Sequence, residues 1–376
     1  MIIGFDAKRI VRNATGLGSY SRTLVNDLQK ILPEGTEMRL YAPDKGRDEL
    51  RGQVRENGSV KFVYPQGCST RLSRDIWRIS GIVKDLRRDG VQLFHGLTGE
   101  LPMGIKKAGI KTVVTIHDLI FMHHPEYYNW LDTKIYAWKF FRTCREADRI
   151  IAISECTKRD VMRFGGVDPS KIDVIYQSCS TEYKVRESEK KLQQVHTDYM
   201  LPDRYIVNVG TIEERKNILL AVKALHMLPD DVSLVIVGRS TPYAAKVMDY
   251  VEKNNLTGRV KMLHGVPHDD LPSIYQMAEA CVYPSRYEGF GLPVIEAIQS
   301  GLPVVACTGS CLEEAGGNDT IYVNPDDVYG MAEAVRQVLR GAEGREQRIE
   351  RSMQYIRRFE GNNVAQSVLD VYRRLV

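Results

Sequence analysis

The chain has 376 residues, more than one hydrophobic core usually serves, so two domains is the starting expectation. Apolar residues make up 43% and charged residues 27%, which suits a soluble globular protein; no run approaches the ~20 apolar residues of a membrane span. The net charge of +4 is uneven: residues 1–185 carry 30 Lys+Arg against 22 Asp+Glu, and residues 186–376 carry 22 against 26.

The opening run Ile2-Ile-Gly-Phe5 reads as a strand rather than a signal peptide, because no basic region leads into a long apolar core. Gly16-Leu-Gly-Ser-Tyr20 follows it and opens a helix whose face carries Tyr20, Leu24, Leu28 and Ile31. This is not the dinucleotide fingerprint, since Ser21 stands at the third glycine position, which argues against a nicotinamide dehydrogenase. Strands follow at Met38–Ala42, Val60–Val63, Val91–Phe94, Thr112–Ile116, Arg149–Ile153 and Asp173–Tyr176. Between them lie a basic helix from Ile76 to Leu86 and a long helix from Trp130 to Ala147. Ser154 is placed to cap the next helix. His117-Asp118 follows a strand end, where the His can meet a sugar hydroxyl and the Asp can orient it; a purely structural His is the alternative. His95-Gly96 ends another strand and is a candidate for an acceptor cleft.

The polar segment Glu182–His196 reads as a linker and a helix start. Alternation then resumes, with strands at Tyr205–Val209, Ser233–Val237, Val260–Leu263, Ala280–Tyr283, Val304–Ala306 and Ile321–Val323, and a helical tail from Gln347 to Val376. Such alternation implies parallel sheets covered on both faces, with ligands beyond the carboxyl ends of the strands. Gly210-Thr-Ile-Glu-Glu-Arg-Lys-Asn217 occupies such a place. It sets Arg215 and Lys216 beside the start of the next helix, suited to a diphosphate or simply solvated. The longest informative run is Tyr283-Pro-Ser-Arg-Tyr-Glu-Gly-Phe-Gly-Leu-Pro-Val-Ile-Glu-Ala-Ile-Gln-Ser-Gly-Leu-Pro-Val-Val305. It reads as a strand, a glycine loop and a helix starting near Pro293, with Gly301 as its stop. Glu296 falls in the first turn of that helix among apolar neighbours, and a carboxylate so placed needs partners such as the hydroxyls of a ribose. A dipole-favoured Glu296 and a solvated Glu288 are the plainer alternative.

This run resembles the donor-binding motif of the retaining glycosyltransferases of family four. Their signature places Glu-x7-Glu within Pro-Ser-x-x-Glu-Gly-Phe-Gly-Leu-Pro-x-x-Glu-Ala, and here it is almost intact. The resemblance implies an α/β chain of two facing Rossmann-like domains, the B-type glycosyltransferase fold, with a last helix that crosses back to the N-terminal domain. It implies that residues 1–185 with 358–376 bind the acceptor and residues 186–357 the nucleotide sugar. By the same resemblance Glu296 holds the ribose and Glu288 contacts the donor sugar. The backbone of Gly289, Phe290, Gly291 and Leu292 meets sugar and diphosphate, Arg215 and Lys216 grip the diphosphate, Gly16 lies against the phosphate, and His117 contacts the sugar. Two departures stand out: Thr211 replaces an Arg that some members carry after the glycine, and Gln177-Ser178-Cys179 stands where Asn-Gly-Val is frequent.

The implied activity is transfer of a hexose from a nucleotide diphosphate to a saccharide or lipid-linked acceptor, with GDP-mannose favoured over UDP-glucose. The rivals are a non-catalytic nucleotide-sugar-binding module and an epimerase or phosphorylase on the same fold. No cofactor and no metal is expected. Cys307 and Cys311 have no partner pair, and His123, His124, His264 and His268 read as loop residues without metal spacing. Seven cysteines without a framework fit a reducing cytoplasm. No nucleic-acid partner is expected. The basic segment Arg71–Arg88 is a candidate for peripheral contact with the inner membrane face, a solvated helix face being the alternative.

Overall fold

The computed structural model describes residues 1–177, 179–359 and 361–376. Ser178, named in the second departure above, and Glu360, within the expected helical tail, lie outside them. The chain divides into two compact units, one of residues 1–178 with 359–376 and one of residues 179–358. The sequence expectation set these divisions at 185/186 and 357/358.

The first unit holds seven parallel strands: β1 (Ile2–Asp6), β2 (Glu37–Tyr41), β3 (Val60–Val63), β4 (Leu93–Gly96), β5 (Lys111–Ile116), β6 (Arg149–Ala152) and β7 (Ile172–Val174). Their order across the sheet is β3-β2-β1-β4-β5-β6-β7. The second unit holds six parallel strands: β8 (Tyr205–Val209), β9 (Ser233–Val237), β10 (Val260–Leu263), β11 (Ala280–Tyr283), β12 (Val304–Cys307) and β13 (Ile321–Val323), ordered β10-β9-β8-β11-β12-β13. The central strands are buried along their whole length, as expected where helices cover both faces. In each sheet the order reverses direction between the first and fourth strands. Such a switch point opens a crevice at the carboxyl ends where ligands bind.

Local signals explain several element ends. Ser154 accepts the Thr157 amide at 3.0 Å and caps the Glu155–Gly165 helix. The segment read as one basic helix is two, Arg71–Ile76 and Ile82–Arg88, joined by a π-helical stretch from Trp77 to Gly81. Trp77 spans this stretch, its indole N–H donating to Asp85 at 2.6 Å. The helix ending the 283–305 run closes in a Schellman motif: the Gly301 amide donates to Ile298 and the Leu302 amide to Ala297, each at 3.0 Å.

The C-terminal helix Gly361–Arg373 belongs to the first unit, as expected of a helix that crosses back. Val364, Ala365, Val368, Leu369, Val371 and Tyr372 join Ile3, Phe5, Leu24 and Leu28 in one buried core. Tyr372 also reaches His95, with 2.6 Å between its hydroxyl and Nδ1, while His95 Nε2 lies 2.8 Å from Thr115 Oγ1. This corrects the expectation that His95 lines a cleft: the ring is fully buried, and desolvation holds its pKa down to about 3. Tyr372→Phe removes one partner of a buried ring nitrogen and is expected to lower stability by about 1–3 kcal/mol. Denaturant unfolding checks this, and an unchanged midpoint would show that the bond contributes nothing.

Candidate active site

In the second unit the switch point lies between β8 and β11. The loop after β8 ends in a 3₁₀ turn, Glu214–Lys216, and Asn217 then takes a left-handed backbone (φ 53°) before the Ile218–Ala224 helix. The Asn217 side chain anchors this join by donating to Pro325 O at 2.8 Å. The loop after β11 carries Ser285 and Glu288. The two loops are stitched together through their backbones, the Arg286 amide donating to Arg215 O at 2.9 Å.

Glu288 is the centre of the constellation. Its Oε1 lies 2.5 Å from Lys216 Nζ and accepts from the Ser285 hydroxyl at 2.6 Å, while its Oε2 lies 2.9 Å from Arg215. Burial alone would raise the pKa of this carboxyl, but Lys216 and then Arg215 hold it down to about 2. Lys216 also donates to the Tyr283 hydroxyl at 2.6 Å. An ammonium has three donors, and these two bonds leave one N–H of Lys216 without a partner among the described residues. Arg215 donates to Tyr287 O at 2.5 Å and to Glu213 at 2.6 Å. Thus the two cations read from the sequence come together on the predicted carboxylate, one sheet position apart.

Glu296 has a different environment. The helix runs from Leu292 to Gln299, so Glu296 is its fifth residue and not in the first turn, which corrects the sequence reading. It is half-buried, and among the described residues its carboxyl has one hydrogen bond, accepted from the Tyr275 hydroxyl at 3.3 Å. Burial pushes its pKa up to about 7 against that weak bond. Gly291, just before the helix, has φ 112°, and a Cβ there would lie 2.8 Å from a Leu312 methyl, so only glycine fits. The amides of Gly291 and Leu292 have no acceptor among the described residues, while Val294 donates back to Gly291 O at 3.0 Å. Gly289 and buried Phe290 lie in the same turn.

In the first unit, Gly16 is the exposed first residue of the Gly16–Ile31 helix. Asn13 Oδ1 holds this loop by accepting the Thr15 amide at 2.8 Å and the Gly18 amide at 3.3 Å. His117 follows β5 and is buried. Its Nε2–H donates to Leu97 O at 2.9 Å, and Nδ1 accepts from the Gln177 amide at 2.8 Å. The ring is oriented by Leu97 and Gln177, not by Asp118, whose Oδ1 accepts the Ile120 amide at 3.2 Å. Desolvation lowers the His117 pKa to about 4, so the ring is neutral near pH 7. Gln177, which stood out in the sequence only as a departure, is thereby given a contact.

Tyr275, Tyr283 and Ser285 were not singled out from sequence. The last two lie inside the quoted run, where the short spacing to Glu288 was the available signal; Tyr275 has none. One group among the described residues could hold a cation: Glu182, His268 and Asp269, all exposed. His268 sits 3.2 Å from Glu182, a pairing that sequence spacing did not suggest. Such exposed acidic groups are common without an ion, and no chemistry is routed through them. His123, read as a loop residue, ends the short Ile120–His123 helix.

The six-stranded parallel sheet places Arg215, Lys216, Glu288 and the glycine turn at its switch point, an arrangement suited to a nucleotide sugar. The "Glycosyl transferases group 1" model matches residues 193–355, and the "Glycosyltransferase Family 4" model matches residues 14–183. The chain belongs to glycosyltransferase family four, with the B-type glycosyltransferase fold. It is 27% identical over its whole length, and the whole of the relative's, to the O-antigen chain mannosyltransferase B of Escherichia coli. It is 28% identical to the O-antigen chain mannosyltransferase RfbU of Salmonella typhimurium, over 68% of this chain and 67% of that one. The fold is shared with Anabaena Alr3699/HepE in complex with UDP and glucose, at 15% identity and a TM-score of 0.77 over 99% of both chains.

Proposed function

We propose that the chain is a retaining mannosyltransferase of polysaccharide assembly, taking mannose from GDP-mannose to a saccharide or lipid-linked acceptor hydroxyl. The observation that carries this reading is the clasp of Glu288 by Lys216 and Arg215 at the carboxyl ends of β8 and β11. The mannosyltransferase relatives support the sugar, and hence GDP-mannose over UDP-glucose.

In this reading Glu296 accepts the ribose hydroxyls, and the Gly291 and Leu292 amides, with Gly289 and Phe290 beside them, meet the diphosphate and sugar. Lys216 offers its open N–H to the diphosphate, and Arg215 adds the second charge. Glu288, kept ionised, accepts from a sugar hydroxyl. His117 and Gly16 keep the roles the family implies, sugar contact and phosphate contact. His117 makes its contact by exchanging Leu97 O for a sugar hydroxyl. The bond from the anomeric carbon to the diphosphate breaks, the acceptor oxygen joins the same face, and the acceptor proton passes to the departing phosphate. Preorganised cations in a dry site carry the charge that develops there. No metal is required in this scheme. No described helix is long and apolar enough to cross a membrane. A cytoplasmic place, with nucleotide sugar rather than nucleic acid as partner, goes with the proposal.

The test is calorimetric titration with GDP-mannose, UDP-glucose, UDP-N-acetylglucosamine and the bare nucleotides, repeated with EDTA. Micromolar binding of GDP-mannose, unchanged by EDTA, is the expected result. Selective binding of a UDP-sugar would overturn the mannose assignment, and no binding by folded protein would overturn the donor site.

A further inference from the structure

In the basic run Arg71–Arg88, three of the five arginines are closely paired within the unit. Arg74 pairs with Asp44 at 2.6 Å, Arg78 with Asp6 and Glu100 at 2.5 and 2.7 Å, and Arg88 with Asp85 at 2.7 Å. A different surface of the first unit carries what a membrane contact needs. The Trp130–Glu146 helix buries Phe140, Arg142, Thr143 and Cys144, with Arg142 donating to Leu101 O at 2.6 Å. A second stretch of its surface is also apolar, and it is in water. Trp130 is 68% exposed, Leu131 57% and Trp138 53%, and Ile135 and Phe141 are exposed with them. Positions 130, 134, 138, 141 and 145 fall on one helical stripe, so Lys134 and Arg145 interleave with the aromatics. The helix has only two acidic residues, Asp132 and Glu146, and both fall off that stripe. Lys134 Nζ sits 4.2 Å from the centre of the Trp130 ring.

The surface does not end with this helix. Ile79 and Trp138 line one small cavity of about 50 Å³. Ile79 also ends a row of exposed apolar side chains, Leu72, Ile76 and Ile79, at i, i+4 and i+7. Met103, whose amide donates to Ile79 O at 2.6 Å, is also exposed and is followed by exposed Lys106 and Lys107.

We infer that this face docks the first unit on an anionic lipid bilayer. Tryptophans among lysines and arginines suit the interfacial layer, where rings sit at headgroup depth and cations meet lipid phosphates. Charge decides against a second copy of the chain as the occupant. A two-fold dimer through this stripe would bring Lys134 and Arg145 of both copies into one interface with no acid on the stripe to match them, whereas an anionic bilayer takes both. The inference deepens the lipid-linked acceptor reading above, placing the enzyme where such an acceptor lies.

Flotation with phosphatidylcholine vesicles, with and without phosphatidylglycerol, tests it. The wild-type chain is expected to float with the anionic vesicles and to release as salt rises. The exposed substitutions Trp130→Ser, Leu131→Ser and Trp138→Ser together are expected to cut binding at least ~10-fold. Lys134→Glu with Arg145→Glu is expected to remove the preference for anionic lipid. Donor binding by calorimetry should be unchanged in both variants, which separates a failed docking surface from a failed donor site. Wild-type chain that stays with neither vesicle, or a triple variant that floats as well as wild type, would overturn the inference. So would a dimer in light scattering that the triple variant loses.

Discussion

Lys216→Ala is expected to lower kcat by about 10²–10³, the usual effect of removing one preorganised group that meets developing charge. The fold should survive, because Glu288 keeps Arg215 at 2.9 Å and Ser285 at 2.6 Å. The loss should fall on kcat more than on KM for the donor. The diphosphate is already charged in the ground state, but its bridging oxygen gains further charge as the glycosidic bond breaks. Glu288→Ala serves as contrast. It strips the shared partner from two half-buried cations and is expected to destabilise the second unit by about 3–5 kcal/mol as well as reduce turnover. Steady-state kinetics with thermal melts of both variants separates the effects. An unchanged kcat in Lys216→Ala would remove it from the reaction.

The second large effect is in pH. Glu296 has its carboxyl pushed up to about 7 by burial, and only the ionised form accepts both hydroxyls of a ribose. Donor affinity is therefore expected to weaken as pH falls through about 7, by up to tenfold per unit below it. Stability without donor runs the other way. The folded pKa lies above the ordinary value of 4.5, so this group's contribution is fully present below 4.5 and is lost as pH rises through about 7. Bound donor is expected to offset that loss by supplying hydroxyls to the carboxylate. Glu296→Gln should bind donor more weakly and show a flat profile across neutrality. Calorimetric titration between about pH 6 and 8 reads both chains. A flat wild-type profile would remove Glu296 from the ribose.

The sheets were legible because parallel strands buried on both faces are short apolar runs with turn residues between them. The Ser154 cap and the Gly301 stop were legible because each acts on its own neighbours. At the site, Glu288 and Glu296 could be read from one continuous run, and Arg215 and Lys216 from their place after a strand. What joins them could not. Glu288 meets Arg215 and Lys216 across 73 and 72 positions of sequence, and the Tyr275 hydroxyl comes to Glu296 from a separate helix. The same limit misplaced His95. A histidine at a strand end looks available to a ligand until the Tyr372 hydroxyl, 277 residues on, is found against it. The π-helical stretch Trp77–Gly81 left no mark in the periodicity.

The helix Gly361–Arg373 also sets an order of events during synthesis. The second unit is one unbroken stretch of chain, whereas the first is complete only with residues 359–376. On the ribosome the first sheet therefore emerges first but waits, with a gap along Phe5, Leu24 and Leu28, until Val368, Leu369 and Tyr372 arrive to fill it. The part of the chain made second can finish folding before the part made first.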